Sequence, residues 1–176
     1  MQRIIITGAP CTGKTTIIEA LSSMNYSVFH EVARDVIKQE LTRGSDVLPW
    51  QNLNAFSRAV LPHQIRNYEK AISGLNFYDR GIPDIAAYQQ KSNQPIFDEL
   101  QNAMNNFRYH NNVFITAPWK EIYANDNERK ESFEEAIKIH NFLVAAYTKN
   151  NYQLMEIPQV KLENRIEFIL DYCKKI

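Results

Sequence analysis

The chain has 176 residues, and 20 Lys plus Arg balance 20 Asp plus Glu, so its formal net charge is zero. That balance argues against a general electrostatic nucleic-acid binder. With 44% hydrophobic residues, disorder as the main state is disfavoured. Cys11 and Cys173 are too few for a disulfide scaffold or a zinc cluster and suit a reducing cytoplasm. No stretch reaches the roughly 18 apolar residues of a membrane helix, and the N-terminal apolar run is too short for a signal-peptide core. The expectation is one cytoplasmic domain over 1–176, with no membrane span and no nucleic-acid polymer as partner.

In chain order, an apolar run at 3–7 predicts the first strand. A helix is predicted over 15–24 and a strand at 26–31. The next helix, over 32–42, carries Val32, Val36, Ile37 and Leu41 at helical spacing. A longer helical pattern covers 50–73, and Pro62 must kink or split it. A strand at 76–80, helices at 83–91 and 96–106, and a strand at 112–118 follow. The long helix over 128–150 has Phe133, Ile137, His140, Val144 and Tyr147 near one face. A strand at 152–158 and a helix over 161–175 end the series. Strands alternating with helices predict an α/β fold with a parallel sheet.

Gly8-Ala9-Pro10-Cys11-Thr12-Gly13-Lys14-Thr15 fits G-x-x-x-x-G-K-[ST] between a strand and a helix. Backbone N–H groups of such a loop point at phosphate oxygens, and the helix N-terminus favours the anion. Lys14 would reach the β- and γ-phosphates, and the Thr15 hydroxyl would bind Mg²⁺. Thr16 would lie near the α-phosphate. ATP is the expected nucleotide. No Asn-Lys-x-Asp motif is present, which disfavours a Ras-type GTPase but leaves GTP open as a ligand.

Asp79 stands at the carboxyl end of the third strand, the edge where open α/β sheets bind ligands. It can hold Mg²⁺ or take a proton from an attacking hydroxyl. Arg80 would add charge beside the transferring phosphoryl group. The alternative for Asp79 is a helix cap, a role for which Asp84 is better placed. Glu31 emerges at the same edge, and Arg34 lies one turn later. This pair can hold an acceptor hydroxyl and a substrate anion, or form only a local ion pair. The charged segment at about 118–132 reads as a lid, with Arg129 first and Lys130 second to close on phosphates, or else as a solvated helix start. Cys11 reads as a small loop filler. Trp50 and Trp119 read as packing residues before base-stacking ones. His30, His63, His110 and His140 lack metal-ligand spacing.

The phosphate loop, His30-Glu31-Val32-Ala33-Arg34, Leu48-Pro49-Trp50, Tyr78-Asp79-Arg80-Gly81-Ile82-Pro83-Asp84, Pro118-Trp119 and the run from Asp126 to Arg129 occur in one order. This set resembles the small P-loop ATPases or kinases grouped as AAA domain-containing proteins. It is similar, more distantly, to the nicotinamide-riboside kinase domain of bacterial NAD biosynthesis regulators. That domain lacks the Arg80-Gly81 pair, so its acceptor does not transfer. The resemblance implies a P-loop, nucleoside- or nucleotide-kinase-like sheet of five parallel strands in the order 2-3-1-4-5. It implies Glu31 and Arg34 at the acceptor, Asp79 as the acidic residue, Arg129 in the lid and Gln64 on the third helix. The expected activity is transfer of the γ-phosphoryl of Mg·ATP to a small hydroxyl compound such as a nucleoside or riboside. The alternative is a nucleotide-dependent switch or slow NTPase acting on a protein or lipid partner.

Overall fold

The computed structural model describes residues 1–123 and 132–176. Its strands are β1 (Gln2–Gly8), β2 (Ser27–Phe29), β3 (Leu75–Asp79), β4 (Asn112–Thr116) and β5 (Gln153–Ile157). Its helices are α1 (Lys14–Ser23), α2 (Val32–Arg43), α3 (Leu53–Glu69), α4 (Ile82–Lys91), α5 (Asp98–Asn106), α6 (Phe133–Lys149) and α7 (Leu162–Cys173). The strands form one parallel sheet in the order β2-β3-β1-β4-β5, the predicted order.

Successive side chains of a strand face opposite ways. Ile4 and Ile6 therefore pack with Ile17, Leu21, Phe77 and Ile169 beneath α1 and α7. Ile5 packs with Val36, Tyr78 and Leu143 on the other face, beneath α2 to α6. All three isoleucines are fully buried, which is why the run reads as continuously apolar. β1 is central, with β3 on one side and β4 on the other. Ile6 pairs with Asp79 and Gly8 with Thr116, so three strand ends converge at one edge. The chain switches direction across the sheet there, which opens a crevice over β1.

Three expectations need correction. The second strand ends at Phe29, and Glu31 is the N-cap of α2 instead of a strand residue. α3 is not split at Pro62. Pro62 lies on the exposed side, where water can replace the lost donor to the Arg58 carbonyl. The Asn52 side chain accepts from Ala55 N and starts α3 three residues after the start of the predicted pattern. On α6 the buried stripe is Ala136, Ile139, Leu143, Ala146 and Tyr147, and Ile137 is 42% exposed. α6 packs against α4, where Ala86 and Ala87 are also buried. Small residues on both helices let them approach closely, and that contact outranks the bulkier stripe.

Candidate active site

The loop from Gly8 to Gly13 leaves no room for side chains at its two fixed glycines. A Cβ on Gly8, at φ 148°, would lie 2.1 Å from Thr116 Oγ1 and 2.6 Å from the Thr116 carbonyl. A Cβ on Gly13, at φ 80°, would lie 2.8 Å from Arg165 Nη1. Ala9, Pro10 and Cys11 are buried, and Cys11 is held at φ 59°, so it is a shaped part of the turn. Thr12 Oγ1 donates to the Ala9 carbonyl at 2.8 Å and shares a 2.6 Å bond with Thr116 Oγ1. Lys14 Nζ donates to the Ala9 carbonyl at 2.7 Å. Burial, then the charge of Arg80, lowers its ammonium to about 8. A phosphate oxygen is a stronger acceptor than that carbonyl and would draw Lys14 away. Thr15 and Thr16 are exposed at the start of α1.

Beside the loop lies a buried charge cluster. Arg80 follows β3 at φ 72°, a backbone state that costs about 1–3 kcal/mol for such a residue. Its side chain holds it there. Nε donates to Glu31 Oε1 at 2.8 Å, and Nη1 donates to the Gly8 carbonyl and to Asp84 Oδ1, each at 3.1 Å. Arg34 Nε donates to Glu31 Oε2 at 3.2 Å. Burial opposes ionisation of Glu31, but Arg80, Lys14 and Arg34 outweigh it and hold the carboxyl at about 2. Glu31 is therefore ionised at neutral pH.

Asp79 behaves in the opposite way. It is 4% exposed, and its Oδ1 has no hydrogen-bond partner. Burial, then the charge of Glu31, pushes its carboxyl up to about 6. A carboxyl raised above its ordinary 3.8 stabilises the fold fully below that value, and the contribution is lost as pH rises through about 6. Asp79→Asn is accordingly expected to melt higher than the parent at pH 8 and equally at pH 4. Equal melting at both values would contradict the burial argument. A raised carboxylate with a free oxygen fits a cation. If Mg²⁺ binds, Asp79 and the Thr15 hydroxyl would be the protein oxygens to hold it, with nucleotide phosphates and waters completing the shell. Among the described residues no cluster of three His, Cys, Asp or Glu could hold a metal alone.

Asp84 holds the cluster together. It is 3% exposed and accepts from Thr7 Oγ1 at 2.6 Å, Arg80 Nη1 at 3.1 Å, Gly81 N at 2.9 Å and Tyr147 Oη at 2.5 Å. The bond from Gly81 N is the expected cap at the start of α4. The bonds from Thr7 and Tyr147 are not legible in the sequence, because those residues come from distant elements. Asp84→Ala would leave a buried cation and two hydroxyls short of an acceptor. The expected loss is about 3–5 kcal/mol, read as a lower urea midpoint at unchanged m-value. A loss below about 1 kcal/mol would mean the cluster rearranges freely.

A cavity of about 760 Å³ opens beside this cluster. Pro10, Glu31, Arg34, Arg80 and Asp84 line its end near the loop. Gln64 and Ser57, both buried on α3, supply further polar groups. The remaining wall is largely apolar and includes Ile37, Leu53, Phe56, Val60 and Ile85. Trp50 is 62% exposed and lines the cavity, so it is not the packing residue expected. The cavity thus brings Glu31, Arg34, Arg80 and Gln64 together, while Asp79 stands behind them near Lys14. Arg129 and Lys130 lie outside the described residues. Arg165 on α7, which the sequence reading passed over, touches the loop: Nη2 donates to the Thr12 carbonyl at 3.1 Å. Its distance of 153 residues from that contact hid it.

An AAA domain family model matches residues 3–165. No curated protein matches the chain. Deoxyadenosine kinase from M. mycoides, solved with products dCMP and a flexible dCDP bound, matches at TM-score 0.71 and 15% identity, over 99% of this chain and 100% of that one. The same kinase with bound dATP matches at TM-score 0.69 and 14% identity, over the same shares. Shikimate kinase from Aquifex aeolicus matches at TM-score 0.57 and 18% identity, over 98% of this chain and 96% of that one. Identities this low establish a shared fold. Among the described residues no helix is long and apolar enough to cross a membrane.

Proposed function

We propose that this chain, which belongs to the AAA domain family, moves the γ-phosphoryl of Mg·ATP to a small hydroxyl compound. The observation that carries this reading is the cavity against the phosphate loop, with ionised Glu31 at its loop-side end. A switch or slow NTPase needs room for one water there, not for a molecule. In this reading the loop N–H groups from Gly8 to Thr16 and Lys14 hold the phosphates. Thr15 and Asp79 would hold Mg²⁺, which when bound spreads the negative charge of the phosphates. Glu31 accepts the proton as the acceptor oxygen bonds to the γ-phosphorus and the bond to the β–γ bridging oxygen breaks. Arg80 and Arg34 orient Glu31, and Arg80 adds positive charge beside the phosphoryl group. We keep the proposal of a single domain over 1–176 with a lid at about 118–132, for which Arg129, outside the described residues, would supply the charge.

The acceptor we favour is a nucleoside or another riboside. Its ring would meet the apolar wall, with Gln64 as a buried partner for ring polar atoms. The cavity carboxylates Glu31 and Asp84 already face the arginines, which disfavours a cationic ring. Cys11 and Cys173 are both buried and form no disulfide, which suits the reducing cytoplasm expected for it.

The test is thermal stabilisation by Mg·ATP and Mg·GTP, followed by a panel of nucleosides and ribosides added to Mg·ATP, then a turnover assay. Ligand linkage predicts about 3 kcal/mol of stabilisation at a hundredfold excess over Kd. A further shift and turnover with one acceptor class support the kinase. A nucleotide shift with hydrolysis and no acceptor effect overturns it in favour of the slow NTPase.

A further inference from the structure

Arg165 carries more cost than its structural contacts explain. It is 6% exposed, and among the described residues no carboxylate forms an ion pair with it. Its Nε has no hydrogen-bond partner. Burial alone lowers its pKa, with no opposing charge to raise it. It also sits in the first turns of α7, the positive end of that helix, where a cation is disfavoured. Against this stand one bond to the Thr12 carbonyl and the face of Trp119, 5.9 Å from the guanidinium carbon. The missing Cβ of Gly13 is what lets the guanidinium come this close.

The bond has a directional consequence. The Thr12 carbonyl and the Gly13 N–H belong to one planar trans peptide, so they point opposite ways. Holding the carbonyl against α7 turns the Gly13 N–H away from α7, into the loop. Among the described residues that N–H donates to no acceptor. We infer that Arg165 is a positioning residue of the phosphate loop: it fixes the Thr12–Gly13 peptide with its N–H ready for a polyphosphate, and its uncompensated charge strengthens that donor. The ligand class is the polyphosphate of a nucleotide, and Arg165 acts on it through the peptide without touching it. This rests on the nucleotide-binding reading of the loop but not on any acceptor.

The test compares Arg165→Met and Arg165→Lys with the parent full-length chain. The probes are Mg·ATP and Mg·tripolyphosphate, which has no base. Loss of a charge-assisted bond predicts affinity for both weakened by about tenfold to a hundredfold in Arg165→Met. Arg165→Lys, which keeps the charge, is expected within about threefold of the parent. Without ligand, Arg165→Met is expected to melt no lower than the parent, since it removes a buried unpaired charge. A purely structural arginine predicts the reverse, with lower apo stability and unchanged affinity. Weakening of Mg·ATP with no change for tripolyphosphate overturns the inference, because Arg165 would then act on the base beside Trp119. If Arg165→Met fails to fold, Arg165→Gln, which keeps a donor and loses the charge, is measured in its place with the same expectation of weaker binding to both probes. Failure of the parent to bind either probe would instead sink the phosphate-loop reading itself.

Discussion

Lys14→Ala is expected to abolish stabilisation by Mg·ATP and to lower phosphoryl transfer by about a thousandfold. Removing one preorganised charge that meets the developing transition state costs on the order of 10²–10³ in turnover. Lys14 is poised for that role, because its ammonium now rests on the Ala9 carbonyl of its own loop. Folding should survive the change. Burial already lowers the ammonium to about 8, so the fold gains little from holding this charge. The measurement is a melting curve with and without Mg·ATP, followed by an initial-rate assay. An unchanged nucleotide shift in a folded Lys14→Ala chain would remove the loop from the mechanism.

Glu31→Gln is expected to leave Mg·ATP binding nearly intact and to cut turnover by about 10²–10⁴, the usual worth of a general base. The change keeps the size of the side chain and an oxygen for Arg80. It removes the charge that Arg80 and Arg34 share. A stability effect should follow as well, with a distinct pH signature. Glu31 is held at about 2, below its ordinary 4.5, so its contribution is present above 4.5 and lost as pH falls through about 2. The parent should therefore be more stable than Glu31→Gln at pH 7, and the gap should close towards pH 2. A variant with parental turnover would shift the base to Asp79. In that case the rate should rise with pH through about 6, where Asp79 ionises.

Both predictions draw on residues that local sequence makes visible. Gly8, Gly13, Lys14 and Thr15 sit within one strand–loop–helix unit, and their spacing carries the chemistry at short range. The alternation of Ile4, Ile5 and Ile6 with helical segments likewise announces a sheet covered on both faces. Asp79 is legible as a strand-edge carboxylate because parallel strands end on one side, and Glu31 reaches the same edge from the start of α2.

Their ionisation is another matter. Asp79 at about 6 and Glu31 at about 2 differ because one is buried beside a like charge and the other faces two arginines. No spacing rule encodes that, since Arg80 reaches Glu31 across 49 residues. Asp84 read as a cap, and only the docking of α6 brings Tyr147 to it across 63 residues. The face α6 buries was misjudged for the same reason: two apolar stripes compete on that helix, and the small residues of α4 choose between them.

The order of elements, the phosphate-loop motif and the sheet edge where the strand-end residues gather are legible in the sequence alone. These follow from local periodicity, glycine geometry and the handedness of parallel connections. How readily each carboxylate ionises, which aromatic lines the cavity and which arginine braces the loop came from tertiary contacts. Those outcomes depend on desolvation and on contacts between distant residues, whose energies exist only once the chain has closed around them.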